Sequence, residues 1–189
     1  MNRFTKVAIG GAFAVTFAAG IVGGAEEWAS LSIKNYRQVF SSMSAVTGVP
    51  KTNGVVLNYY NQAYRRLSET GAVNTVNGPL LLTTTILASR FCGQFIAMEA
   101  ALPADQRKAH QMVDFTKTQV GLTTDVLTNV INNYGSLFWG RSPDSVERQT
   151  ALTLVQEAVA GQTETVDMTR KALLTACTNY LSGLEFIKQ

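Results

Sequence analysis

One histidine, two cysteines and four prolines in 189 residues leave little material for side-chain chemistry. With His110 as the only imidazole, a two-histidine metal centre cannot form, and Ser-His-Asp catalysis would have to run through that residue. No GxSxG elbow accompanies any serine, and neither GxxxxGK[ST] nor GxGxxG occurs, so the usual hydrolase and nucleotide cradles are missing. Charge is also sparse, at 15% of residues, and no basic cluster is larger than a pair such as Arg65-Arg66 or Arg107-Lys108. Phosphate neutralisation needs clustered Lys and Arg, so nucleic acid is not an expected partner. Each pair is expected on a solvated helix face. No Pro- or Ser-rich linker divides the chain, and no repeat shows at solenoid periods.

What is present begins at the N-terminus. Met1 to Lys6 is a short basic start, Val7 to Val22 is apolar, and Gly23-Gly24-Ala25 places small residues before the acidic Glu26-Glu27. That order is the pattern of a secretory signal peptide over residues 1–25, with cleavage after Ala25. A retained membrane anchor is the competing reading. The run falls at or below the roughly 20 residues that a helix needs to cross a bilayer. Gly20 and Gly24 carry the GxxxG spacing that lets membrane helices approach. Contact with a membrane is expected only if this segment is kept. Arg3 and Lys6 belong to it, so the 16 basic residues fall by two against 13 acidic ones and the remainder is almost neutral. Residues 26–189 form one expected domain, in a periplasmic, extracellular or cell-surface location.

Cys92 and Cys177 are too far apart for CxxC redox, CxxCH haem or zinc-finger spacing. In an oxidising compartment they read most simply as one disulfide, the alternative being two buried thiols that act as small apolar groups.

Apolar periodicity predicts helices along most of the chain. Trp28, Leu31, Tyr36, Val39, Phe40, Met43 and Val46 give one stripe from Glu26 to Val46, stopped by Thr47-Gly-Val-Pro50. Asn53 caps a second helix carrying Val55, Val56, Tyr59, Tyr60, Ala63 and Leu67, closed by Thr70-Gly71. Pro79 opens a third and most apolar one, running to Leu102 before Pro103; this is the expected central helix, and it places Cys92 on its apolar stripe. A polar helix is expected over Ala104–Val120, with His110 on its surface. Thr123 or Thr124 caps the next, which Gly135 ends. Ser142-Pro143-Asp144 reads as a helix start, and Thr163 or Thr165 opens the last helix, with Cys177 on its buried stripe. The expected fold is an all-α, single-domain bundle of about six helices.

Candidate sites are few. His110 with Asp105 or Asp114 is too thin for a metal site, because a helix would put only Asp114 on the same face. Glu26-Glu27 and the pair Glu164 and Asp167 read as charges complementing helix N-termini. Tyr59, Tyr60 and Tyr64 beside Arg65-Arg66 read as a half-buried bundle face rather than a sugar- or polyanion-stacking one. No cofactor, metal or catalytic residue is therefore expected. The densest aromatic cluster, Tyr134, Leu137, Phe138 and Trp139, lies where periodicity stops. Adjacent helical positions point about 100° apart, so one stripe cannot bury all four. Aromatics left on a loop are favoured anchors, so this segment is the candidate contact for a protein partner or a second copy. The alternative is that it folds back to cap its own core.

Val39 to Pro50, Leu87-Ala-Ser-Arg-Phe-Cys92 and the ending Ala176 to Gln189 resemble a helical module of large exported Gram-negative bacterial proteins, where it accompanies a concanavalin/LamG-type domain. The resemblance implies a periplasmic or cell-surface helical domain with Cys92 and Cys177 as the matching cysteines. This chain has no LamG region and no CxxCH, so the module would stand alone. The expected function is that of a non-catalytic exported subunit, structural or adaptor, in a periplasmic or surface assembly. An exported small-ligand carrier or enzyme with a pocket between helices is the alternative.

Overall fold

Asn35 starts the first helix by exchanging hydrogen bonds with Gln38: its Oδ1 accepts from the Gln38 N–H at 2.9 Å, and Gln38 Oε1 accepts from the Asn35 N–H at 2.8 Å. In this computed structural model, residues 33–64, 78–116, 122–161 and 166–188 are described. Helix α1 therefore spans Tyr36–Thr47 and not the longer stretch expected from Glu26. Trp28 and Leu31 lie outside the described residues. The correction has a local cause. Asn35 is extended, and the chain before it pairs instead with the C-terminus, Ile33 bridging Lys188 and the Lys34 N–H donating to the Ile187 carbonyl at 2.9 Å. The expected stop holds: Gly48 is left-handed (φ 73°) and its N–H donates to the Ser44 carbonyl.

Helix α2 is Gly54–Tyr64, with Asn53 Oδ1 accepting from the Val55 N–H and its amide donating to Gln94 on α3. Helix α3 is Gly78–Ala100, with Pro79 in its first turn. Its buried positions, Leu80, Thr84, Leu87, Ala88, Phe91, Cys92, Phe95, Ile96 and Glu99, advance by threes and fours down one face. Among the described residues α3 is the helix long and apolar enough to cross a bilayer. Its fully enclosed Leu87, Ala88, Phe91 and Cys92 identify it as the core helix.

Thr123 caps α4, Thr124–Tyr134, and the chain does not stop at Gly135 as expected. It widens into a single π turn, Gly135–Trp139, that ends at the left-handed Gly140. Gly135 is required by packing: a Cβ there would lie 2.5 Å from Pro143 Cδ. Helix α5, Ser145–Val159, begins two residues later than Ser142 suggested. Asp144 and Glu147 form a capping box, and that pair outweighs the Ser-Pro signal. Helices α6, Val166–Ser182, and α7, Leu184–Ile187, complete the chain.

Seven α-helices and no named strand occur among the described residues, an all-α single-domain bundle. Helix α3 packs against α6, α1 and α2, and α5 lies on α6 and α4. Cys92 and Cys177 are joined, with Cα atoms 5.8 Å apart, and the bridge pins α3 to α6 inside the core. A disulfide of this kind fits an oxidising environment.

The polar helix expected over Ala104–Val120 does not form in its described part. A short 3₁₀ turn, Ala104–Gln106, is followed by turns to Thr116. Side chains supply what a helical ladder would have supplied, and they do so at the candidate site.

Candidate functional site

Cys92, Phe95, Ile96 and Glu99 share one face of α3, so an acid sits on the apolar stripe one turn after two core residues. A buried carboxylate must be hydrogen-bonded to remain charged. Glu99 Oε1 accepts from the backbone N–H groups of Lys108 at 2.6 Å and Ala109 at 3.3 Å. Its Oε2 accepts from the N–H of Ala109 at 3.2 Å and of His110 at 3.1 Å, and from His110 Nδ1 at 2.6 Å. Three consecutive backbone donors and one imidazole thus converge on one carboxylate. Arg107 completes the framework from the other polarity. Its guanidinium donates to the carbonyls of Leu102 at 2.9 Å and Val113 at 2.7 Å, and it lies 4.9 Å from the Phe115 ring centroid.

His110 is the main correction to the sequence reading. Expected on a polar surface, it is 0% exposed, as is Tyr134, and Glu99 is 3% exposed. An ionised carboxylate only accepts, so Nδ1 carries the hydrogen and donates to Glu99. The other nitrogen, Nε2, is then free to accept from the Tyr134 hydroxyl at 2.6 Å. Phe95 and Phe115 flank the imidazole with centroids at 5.4 and 5.7 Å, and Phe138 stacks on Tyr134 at 5.3 Å.

Electrostatics follow from this enclosure. Burial pushes the Glu99 carboxyl up, but the hydrogen bond from His110, with the N–H groups of Lys108 and Ala109, outweighs it and holds the group below its ordinary value. Burial first, and the Glu99 charge second, push the Tyr134 phenol well above its ordinary value. Carboxylate, imidazole and hydroxyl stand in the order of a base with its orienting acid. At these exposures no substrate atom reaches Nε2 or the phenol oxygen, so the cluster in this arrangement ties a loop to two helices.

The remaining candidates are dispersed. Asp114 accepts from the N–H and hydroxyl of Thr116, and Asp105 is exposed in the 3₁₀ turn; neither shares a helix face with His110, because that helix is absent. Arg107 is not a solvated helix charge, for it is spent on carbonyl groups. Among the described residues no group of three or more His, Cys, Asp or Glu is placed to hold a metal ion. Asp167 is in the first turn of α6, whereas Glu26, Glu27, Arg65, Arg66 and Glu164 lie outside the described residues. Tyr60 stacks between Phe40 at 4.2 Å and Tyr64 at 5.6 Å, with Tyr36 at 5.1 Å, on a half-buried α1–α2 seam.

The aromatic segment expected as an exposed contact folds onto its own core. Tyr134 and Phe138 are buried, and Leu137 and Trp139 are half-buried. Trp139 Nε1 donates to the Tyr180 carbonyl at 2.9 Å and its ring stacks on Tyr180 at 4.3 Å. Arg141 covers the indole at 5.1 Å and bridges Glu147 at 2.7 Å to Glu185 at 3.5 Å. Continuation of the helix past Gly135 explains the correction: Tyr134 and Phe138, four residues apart, stay on one face through the π turn, which a helix ending at Gly135 does not provide. Tyr134 and Phe138 therefore offer no surface to a partner.

Sequence reasoning missed Glu99 and Tyr134 as partners of His110, although an acid on the 92–95–96–99 stripe was a visible signal. No family profile, curated protein or solved structure matches this chain.

Proposed function

We propose that this chain is a non-catalytic exported helical protein, a structural or adaptor subunit of a periplasmic or cell-surface assembly. The observation that carries the reading is the closure of the Glu99–His110–Tyr134 cluster. The only imidazole in the chain is fully buried, and both of its nitrogens are engaged by protein groups. A catalytic base needs one nitrogen directed at substrate. The signal-like N-terminus and the buried Cys92–Cys177 bridge support export. The resemblance to the LamG-associated helical module supports the same location. With Tyr134 and Phe138 internal, the surface left for a protein partner or a second copy comprises the half-buried edges of Leu137 and Trp139 and scattered exposed residues such as Val146 and Leu184.

The test is cross-linking in intact host cells, followed by fractionation and mass analysis of the cross-linked bands. The expected result is a discrete assembly in the periplasmic or surface fraction, containing chains that begin at Glu26. A monomer confined to the cytoplasm overturns the proposal. So does a hydrolytic activity that His110→Ala abolishes while leaving the helical circular dichroism unchanged.

A further inference from the structure

A loop of sixteen-odd residues without a helix of its own ordinarily satisfies its backbone with water or with neighbouring turns. The segment Ala101–Thr116 has such turns at Gln106, Arg107 and Val113, but its stretch Lys108–His110 is satisfied by one titratable group outside it. The Lys108, Ala109 and His110 N–H groups and His110 Nδ1 all donate to Glu99, and Glu99 belongs to a different element, α3. We propose that Glu99 is an acid-released latch: protonating its carboxyl frees the 101–116 segment and uncovers the aromatic seam beneath it, while the disulfide-pinned bundle stays folded.

The chemistry is one of donor and acceptor count. Four donors converge on two oxygens, and the ionised carboxylate has acceptor sites for all of them. A carboxylic acid places an O–H donor among those N–H donors and removes the charge that shortens the bonds. The other groups facing the site do not replace it. From the segment, Arg107 is held by carbonyl oxygens, and Lys108 directs Nζ towards the end of α1, where a Cβ on Gly48 would lie 3.6 Å from it. From α4 come the Tyr134 phenol and the Asn133 amide, which donates to the Ala109 carbonyl at 3.0 Å. From α6, Tyr180 meets Tyr134 through its ring at 6.3 Å, and the π turn presents the apolar Phe138. Asp105 and Asp114 are the segment's own acids; both are exposed, and Asp114 accepts from the Thr116 N–H. The latch opens when the carboxyl itself is protonated.

Release has a defined consequence. Val113 and Phe115 leave the core, and the faces of Phe95 and Tyr134 that pack around His110 are uncovered. Met98, Leu102 and Met112, already exposed, border this region. Helices α3 and α6 remain joined through Cys92 and Cys177.

Amide NMR of the full chain, titrated from pH 7 to pH 2, tests the latch together with an apolar fluorescent dye and far-UV circular dichroism. The expected result is loss of the folded Lys108, Ala109 and His110 amide signals, with a matching rise in dye binding, at a pH where helicity and the amides around Cys92 and Cys177 persist. Glu99→Gln, whose amide nitrogen opposes the same donors, is expected to show the open signature at pH 7 and no further acid transition. Glu99→Asp, which keeps the charge on a shorter arm, is expected to open at higher pH than the native chain, and it reports even if the Gln variant fails to fold. Asp105→Asn and Asp114→Asn are expected to leave the midpoint in place. The proposal is overturned if loop and helix signals vanish together, if the loop amides survive to pH 2, or if Glu99→Asp leaves the midpoint unshifted.

Discussion

Helix α6 and the 101–116 segment both meet the central helix α3, yet they are held to it by opposite means. The α3–α6 pair meets along two apolar stripes, with Leu87, Ala88 and Phe91 on one and Leu173, Ala176 and Leu181 on the other, and a disulfide between them. Its polar backbone is satisfied internally, one turn at a time, so no single side chain is indispensable to the ladder. The segment has no such ladder across Lys108, Ala109 and His110. One carboxylate takes their N–H groups and one guanidinium takes the opposing carbonyls. A helix pair spreads its dependence over many residues, whereas the segment gathers it at Glu99 and Arg107.

The largest expected effect is on the helix pair. Cys92→Ser with Cys177→Ser removes a cross-link spanning 85 residues, which the chain-entropy model values at about 4 to 5 kcal/mol. Thermal and urea unfolding are expected to show a lower midpoint in one cooperative transition, because every helix depends on the shared core. A double variant as stable as the native chain would show that apolar packing alone holds the pair.

Next comes Glu99→Ala, expected to cost about 2 to 3 kcal/mol, the range for hydrogen bonds to a charged group together with donors left unsatisfied. The loss should appear first as faster exchange at Lys108, Ala109 and His110, with α3 and α6 protected longer. Equal loss of protection in every helix would erase the contrast between the two regions. A pH series gives the same contrast a sign. Glu99 is held below its ordinary carboxyl value in the folded chain, so its contribution is fully present above that ordinary value. It is lost as pH falls through the lowered folded value. The stability difference between the native chain and Glu99→Gln should therefore be flat from pH 6 to 8 and shrink towards zero in stronger acid. A difference that grows on acidification would contradict the direction.

The same division separates what was legible in the sequence from what was not. Helices whose apolar residues recur by threes and fours were visible, as were the Gly48 stop, the Thr123 cap and the placement of Cys92 and Cys177 on buried stripes. Those signals act within a turn or two. The α1 start was misplaced because Trp28 and Leu31 continue the stripe upstream, while the competing cue was the local pair Asn35 and Gln38. The 104–116 segment was misread because its partner acts from outside it. Glu99 precedes the N–H groups it satisfies by 9 to 11 residues, and Tyr134 follows His110 by 24. No window of helical periodicity contains those pairs. Glu99 itself was readable as an acid among Cys92, Phe95 and Ile96, and such a residue calls for a buried donor. The sequence does not say which donor.

The smallest expected effect tests whether the site hangs on Glu99 alone or on the whole Glu99–His110–Tyr134 chain. Tyr134→Phe keeps the ring that stacks on Phe138 and removes only the hydroxyl that donates to His110 Nε2. The imidazole keeps its Nδ1–H bond to Glu99, and the three backbone donors are untouched. What is lost is one neutral hydrogen bond and the satisfaction of one buried acceptor, about 1 kcal/mol. Unfolding midpoints should fall by less than half of the Glu99→Ala effect. The His110 Nε2 nitrogen resonance should move away from its hydrogen-bonded position while the Lys108 and Ala109 amides stay protected. If Tyr134→Phe instead destabilises as much as Glu99→Ala and releases those amides, the three groups act as one cooperative unit, and a double-mutant cycle between positions 99 and 134 should then return a coupling comparable to either single loss.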